Sequence, residues 1–378
     1  MDKMRDERIS CLLVTRNRTR VLIDLVKHVY DVVDDIVIID SSDGKKLAAL
    51  RTAMKNFKRV KVYYAVPLGY EEPYRMYGLK KTKHEWILSI DADQRLNPEF
   101  RRDIQKIIHD NQKFSGFLAR QDNFLDGKRI YGESYGIRFG KNDWQLRLFR
   151  KSKVLFRGIV HEAPDLGGRW TSRTGKELRA HFLPNKYRFI QHHEQGDFSY
   201  KIMKTMKLEM FECRHTYGST KLPGPLKVPA RLYGLIKGRG QDRELTMRDY
   251  LTHERLYAIL NNGEPSEWFR PMPYYFRRKV ATIFAAEPIL RDLSFAISED
   301  IRKEGGVIKY LGFDGDSAIR NLNRKYKNTK LKGIDLFIVL LVEEFYRKHP
   351  KWRSEIPPLE VVGLLDNALE KSGKIVGA

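Results

Sequence analysis

Trp86-Ile87-Leu88-Ser89-Ile90-Asp91-Ala92-Asp93 is an apolar run that stops abruptly at two carboxylates, one residue apart. A nearly continuous apolar run of this length fits a parallel strand covered on both faces. Ionised carboxylates are costly to bury, so the two aspartates belong where the strand leaves the core. In open α/β sheets the carboxyl ends of strands are where ligands bind. Two hard oxygen donors there suit a divalent cation that also holds phosphate oxygens, which marks a candidate nucleotide site. The competing reading is a strand end capped by two solvated aspartates. A second Asp-x-Asp, Asp314-Gly315-Asp316, lies in a polar, glycine-containing segment and reads as a loop or helix cap.

Outward from this stretch, the first 110 residues alternate strand-like and helix-like segments. Ile9 to Val14 is a branched apolar run and predicts the first strand. Arg18 to Val29 predicts a helix, with Val21, Leu22, Leu25, Val26 and Val29 on one face. Ile36 to Ile39 is the second strand and ends at Asp40; the turn Ser41-Ser42-Asp43-Gly44 leads into a helix through Leu47 and Leu50. Val60 to Tyr64 is the third strand, Pro73 opens a helix, Glu85 to Ile90 is the fourth strand, and Pro98 opens another helix. This β-α order predicts an α/β fold with a mostly parallel central sheet and helices on both faces.

From Phe114 to about His181 the pattern changes to short strand-like pieces, Phe117 to Arg120 and Gln145 to Phe149. They predict antiparallel or mixed additions that carry loops over the active face. Asp197 is placed to cap a helix running to Met210. Lys221-Leu222-Pro223-Gly224-Pro225 is the strongest boundary signal. It divides a domain of residues 1–220 from a mainly helical domain of residues 221–378, with helices near 246–260, 332–348 and 358–370.

The chain has 378 residues, 42% of them hydrophobic and 11% aromatic, enough for a sizeable core and against a disordered chain. Two cysteines, Cys11 and Cys213, build neither a disulfide framework nor a metal cluster, and fit a reducing compartment. The late apolar run Leu336 to Val342 is too short to span a bilayer and is flanked by Asp335 and Glu343. A charged N-terminus leading straight into strand-like sequence reads as lacking a signal peptide, so a cytoplasmic protein is expected. The formal net charge of +23 attracts polyanions, among them anionic lipid headgroups and phosphorylated substrates. It equally suits a solvated surface that aids solubility. The basic residues are spread along the chain with no compact arm, which argues against nucleic acid as the partner.

Four segments, in order, resemble family-2 glycosyltransferases of the GT-A fold. Leu13-Val14-Thr15-Arg16-Asn17 resembles the first-strand motif that opens the nucleotide pocket. Ile38-Ile39-Asp40-Ser41-Ser42-Asp43-Gly44 resembles the second-strand motif, whose aspartate faces the nucleoside. Gly69-Tyr70 with Arg75 resembles the segment that contributes a basic residue, and Ile90-Asp91-Ala92-Asp93 resembles the metal-binding motif. Downstream, Trp144-Gln145-Leu146-Arg147-Leu148-Phe149-Arg150 and Val160-His161-Glu162 look closest to a subgroup that includes lipopolysaccharide-core β-1,4-glucosyltransferases. The resemblance ends near residue 215 and leaves the C-terminal region unassigned. It departs at Asp40-Ser41-Ser42, where the family carries a residue between the aspartate and the serine pair. Gln145 and Arg147 do not have the spacing of the Q-x-x-R-W motif of the processive synthases, so the resemblance implies a non-processive enzyme.

The implied reaction moves a sugar from a UDP- or GDP-linked donor to a hydroxyl of a glycan, lipid-linked saccharide or peptide, inverting the anomeric centre. Mn²⁺ or Mg²⁺ on the diphosphate would stabilise the leaving group. Asp93 is the expected direct ligand, and Asp91 holds a metal-bound water or the ribose. Asp40 can accept a hydrogen bond from base or ribose, or cap the following helix. Thr15 and Asn17 are placed to contact base or ribose, and Arg16 or Arg75 the diphosphate, unless these arginines are plain surface charges. Glu162 is the candidate general base, with His161 orienting it or contacting the metal, and Asp143 and Glu133 are its rivals. His193, in the cluster His192-His193-Glu194, resembles the downstream histidine that supplies a further metal ligand in this fold. Two other functions compete. A nucleotidyltransferase would want a glycine-rich loop after the first strand, where this chain has Thr15-Arg16-Asn17-Arg18. A basic protein binding nucleic acid or anionic membrane would rest on the charge alone; a combined form is an enzyme held peripherally at a membrane surface.

Overall fold

The computed structural model describes residues 7–125, 128–130, 137–139, 142–158, 180–193, 207, 287–313, 315–327, 330–331, 333–354 and 356–373. The boundary segment 221–225, the helix expected near 246–260 and, apart from Lys207, the helix expected up to Met210 lie outside the described residues.

Strand β1 (Ile9–Thr15), helix α1 (Thr19–Val29), β2 (Asp35–Asp40), α2 (Gly44–Met54), β3 (Val60–Tyr64), α3 (Glu72–Lys81) and β4 (Trp86–Ser89) follow the expected alternation. β1 pairs with β2 and β4, and β2 with β3, all in parallel. β1, β2 and β4 are buried along their whole length, which is why they read as unbroken apolar runs. Alternate side chains serve opposite faces. Ile9, Cys11 and Leu13 with Ile36 and Ile38 join Leu22, Leu25 and Val26 of α1 and Leu50 and Met54 of α2 in one core. On the other face Leu12 and Ile39 lie against Gly78 of α3, so close that a Cβ at residue 78 would collide with Leu12. A glycine there lets the helix settle onto the sheet.

Beyond β4 the sheet is mixed. It gains β5 (Gln94–Leu96), β6 (Gly116–Leu125), β7 (Lys128–Ile130), β8 (Ile137–Phe139), β9 (Asn142–Arg150), β10 (Ala180–Phe182) and β11 (Arg188–His193), with α4 (Pro98–Asp110) packed between β5 and β6 in sequence. The spatial order is β3-β2-β1-β4-β9-β6-β11-β5. β9 runs antiparallel to β4 and β6; β11 runs parallel to β6 and antiparallel to β5. β4 ends at Ser89 and β5 begins at Gln94, yet three strands lie between them in the sheet. Five residue steps reach at most about 18 Å, and four strand spacings on a flat sheet come to about 19 Å. The sheet therefore curls, and the Asp91–Asp93 turn bridges its rim.

The chain forms two compact units. The first takes in residues up to Pro67, Glu71–Glu194 and Gly312–Asn328, and so holds the sheet and α7 (Asp316–Tyr326). Asn323 of α7 donates from Nδ2 to the Tyr64 carbonyl at 2.9 Å and accepts from the Val66 N–H at 2.8 Å. A side-chain amide thus takes the place of a neighbouring strand where β3 ends. Asp316, from the second Asp-x-Asp, opens α7 and pairs with Lys81.

The second unit comprises Leu68–Tyr70, Gln195–Leu311 and Thr329–Ala378. Its described helices are α5 (Pro288–Glu304), α6 (Val307–Tyr310), α8 (Ile334–Lys348) and α9 (Pro358–Gly373). Every residue of α8 from Leu336 to Val342 is buried, the mark of a central helix and the reason for its continuous apolar run. Tyr70 meets Phe337 edge-on at 4.9 Å. Lys207 is buried and donates to Asp335 and Asp366 at 2.8 and 2.5 Å. No helix among the described residues is long and apolar enough to cross a membrane.

Candidate active site

Thr15, Asp40 and Tyr64 are register partners at the carboxyl ends of β1, β2 and β3. Lateral neighbours in a sheet share a face, so the three form a row along its rim. Asp40 is fully buried. Its Oδ1 accepts from the Ser42 N–H at 3.2 Å and from Ser42 Oγ at 2.6 Å. Ser42 Oγ in turn accepts from the Asn17 N–H at 2.7 Å, which straps the loop after β1 to the loop after β2. Asn17 is the one non-glycine described residue in the left-handed region, at φ 60°, a conformation asparagine tolerates well. The adjacency of Asp40 to the serine pair is what lets Ser42 reach back onto it. Burial holds the Asp40 carboxyl above its usual range despite the bonds from Ser42. Burial and the carboxylates of Asp43 and Asp40 likewise raise the Tyr64 phenol.

Asp91 and Asp93 sit on the rim turn after β4. Asp91 Oδ1 lies 3.2 Å from Arg75 Nη2, and Oδ2 lies 2.6 Å from Arg147 Nη2. Burial alone would raise the Asp91 carboxyl, but Arg147 and then Arg75 hold it below the usual range. Asp93 Oδ2 faces Arg18 Nη1 at 3.5 Å. Glu71 shares the Arg75 guanidinium at 3.6 Å. Desolvation, then the charge of Asp91, pushes the Glu71 carboxyl up; its side chain is 46% exposed, so solvent screens the effect.

Behind the turn stand three glutamines. Gln94 Oε1 accepts from the Asp91 N–H at 3.1 Å, and Gln94 Nε2 donates to Gln121 Oε1 at 2.9 Å. Gln121 Nε2 donates to Gln191 Oε1 at 2.5 Å, and Gln191 Nε2 to Asp93 Oδ1 at 3.4 Å. The His192 N–H adds a 3.0 Å bond to the Asp93 carbonyl.

Of the expected site residues, Thr15, Arg16, Asn17 and Asp40 gather at the ends of β1 and β2, and Arg75, Asp91 and Asp93 gather beside β4. His193 ends β11, paired with Leu125, and its side chain is outside the described residues. Glu162, His161 and Glu133 also lie outside them; Asp143 lies in β9, where only its backbone is described. Arg18, Glu71, Arg147 and the three glutamines went unassigned from sequence. Arg147 did leave a signal: it interrupts Leu146 and Leu148 in a strand, and a guanidinium on such a strand needs a carboxylate partner.

Among the described residues, eight buried side-chain polar atoms lack a hydrogen-bond partner, and four belong here: Thr15 Oγ1, Arg16 Nε, Asp40 Oδ2 and Arg147 Nε. No three His, Cys, Asp or Glu side chains among the described residues cluster closely enough to hold a metal ion by themselves. Both Asp91 oxygens face guanidinium groups, whereas the oxygens of Asp93 face the Gln191 amide and Arg18. One carboxylate completed by substrate phosphates is a common arrangement for Mg²⁺ or Mn²⁺, so the donor set fits a cation that arrives with a diphosphate.

No family model matches the chain. It is similar to three proteins described as uncharacterized glycosyltransferases. That of Rickettsia bellii is 26% identical over 125 residues, 33% of this chain and 40% of the relative. That of Rickettsia conorii is 25% identical over 125 residues, 33% and 42% of the two chains, and that of Rickettsia felis 26% over 119 residues, 32% and 40%. The chain thus spans about two fifths of the length of the curated relatives it matches. The crystal structure of S. aureus TarS 1–349 aligns with 85% of this chain and 91% of its own at 12% identity, with a TM-score of 0.36.

Proposed function

We propose that the chain is an inverting, metal-dependent and non-processive glycosyltransferase of the family-2 type with a GT-A fold. It would transfer a sugar from a UDP- or GDP-linked donor to a hydroxyl of a glycan, a lipid-linked saccharide or a peptide. The observation that carries this reading is the cluster of buried polar atoms without partners at Thr15, Arg16, Asp40 and Arg147. Such atoms are costly, and their concentration on one rim suits a polar ligand that completes them. The partial likeness to glycosyltransferases supports the same chemistry.

In this reading the nucleoside lies over β1 and β2, where Asp40 Oδ2 accepts from base or ribose beside Thr15, Arg16 and Asn17. The diphosphate lies toward β4, the neighbour of β1, within reach of Arg18, Arg75 and Arg147. Asp91 holds two of these guanidinium groups in place. Asp93, with His193 as a further ligand, would hold Mn²⁺ or Mg²⁺, which would supply charge neutralisation for the leaving diphosphate. Glu162 removes the proton of the acceptor hydroxyl, and His161 orients it. The basic surface holds the enzyme peripherally against anionic lipid on the cytoplasmic side.

Thermal shift of the intact chain with UDP, GDP and their sugars, with and without Mn²⁺, tests the proposal. One nucleotide should raise the midpoint only when the ion is present, by the equivalent of about 2.7 kcal/mol at a hundred times its Kd. Asp93→Ala should remove the ion dependence and the transfer activity. A chain that no sugar nucleotide stabilises, or an Asp93→Ala variant with full activity, overturns the reading.

A further inference from the structure

Gln94, Gln121 and Gln191 come from three different strands, β5, β6 and β11, and the first two are buried. Their amides run head to tail from the Asp91 N–H to Asp93 Oδ1. The two ends dictate the direction. A backbone N–H can only donate, and an ionised carboxylate can only accept. The amide next to Asp91 must therefore turn its oxygen toward the rim, and the amide next to Asp93 must turn its NH₂ toward it. Gln121, between them, is constrained to pass the same polarity along. A second contact, Gln94 Nε2 to Gln191 Oε1 at 3.4 Å, has the same sense. Buried networks of this kind stiffen what they hold.

We infer that the three glutamines are positioning residues for Asp93. They hold one carboxylate oxygen from behind, which sets the orientation of the other, now facing Arg18. β11 holds the same residue twice, through Gln191 and through the His192 N–H. Docking of a strand about a hundred residues downstream thus completes the turn that β4 begins. The inference rests on the proposed role of Asp93 toward a cation and diphosphate.

Gln121→Met tests it at a distance from the rim, because methionine keeps the volume and removes the two amide bonds of the relay. Calorimetry on the intact chain would compare Mg²⁺ with UDP or GDP against the corresponding nucleoside monophosphate without metal. The variant should weaken the metal-dependent diphosphate binding about tenfold or more. It should leave the monophosphate affinity unchanged, a split that general loosening of the fold would not produce. Gln191→Met, at the less buried end, serves where Gln121→Met does not fold. A folded variant that binds the Mg²⁺–diphosphate as the wild type does overturns the inference. A second readout needs no nucleotide: hydrogen exchange of the Gln191 Nε2 protons should speed up about tenfold in Asp93→Ala, since the relay loses its terminal acceptor. Unchanged exchange overturns the relay. A wild-type chain that binds neither UDP nor GDP overturns the glycosyl-transfer reading separately.

Discussion

Burial of Asp40 with one oxygen unpartnered is unfavourable to the folded chain taken alone. Its folded pKa lies above the unfolded value, so the penalty is present at neutral pH and fades as pH falls through the raised pKa. Asp40→Asn should therefore raise stability by about 1 kcal/mol at pH 7, an advantage that shrinks in acid, as urea titrations at two pH values would show. The same variant should lose nucleoside binding, because its NH₂ would meet a donor where Oδ2 had met it as an acceptor. Asp91 behaves in the opposite sense. Arg147 and Arg75 depress its pKa, so its stabilisation is present above the unfolded value and is lost as pH falls through the folded one. Arg147→Met leaves the partly buried Asp91 carboxylate with one partner fewer and should cost about 1–3 kcal/mol at pH 7. The difference from wild type should narrow only in acid, as pH falls through the depressed pKa of Asp91. Asp40, Asp91 and Asp93 were readable as candidates because carboxylates at the ends of apolar runs stand out. Arg147 left only the interruption of Leu146 and Leu148, which does not name its partner, and the glutamines left nothing, since nothing local tells a buried amide from a solvated one.

Strands β1 to β4 and helices α1 to α4 were readable because each carries a local mark, an apolar run, an amphipathic face, a turn or an opening proline. The short β5 and β10 have three residues each and no period to display. β11 exists through its pairing with β5 and β6, contacts far away in sequence. The same holds for α7, which belongs with the sheet although it follows the whole of α5 and α6. Asn323→Ala would leave the Tyr64 carbonyl and the Val66 N–H without the partner that now spans them. It should destabilise the first unit by about 1–3 kcal/mol, measured by urea unfolding of the intact chain. A midpoint equal to the wild type would mean that water serves those groups equally well. Tyr64 is the register partner of Asp40, so the same helix also steadies one side of the rim that carries Asp40.

At the scale of the whole molecule the excess of basic over acidic residues, 71 against 48, is the dominant long-range feature. In flotation assays the chain should associate with vesicles containing anionic lipid and not with neutral ones, and salt at about 0.5 M, which shortens the screening length well below the roughly 10 Å of 0.1 M, should release it. Equal recovery with both vesicle types would remove the membrane from the proposal. By itself the sequence determined the alternation of strands and helices, the parallel start of the sheet and the rim on which the paired aspartates fall, because hydrophobic period and the cost of burying charge are local properties. Only the tertiary structure decided that the rim turn bridges a curled sheet, that Asp91 is held between two arginines, and that three glutamines and a late strand hold Asp93. Those depend on which distant segments meet, and the pairing of one strand with another is written in the fit between them and in neither alone.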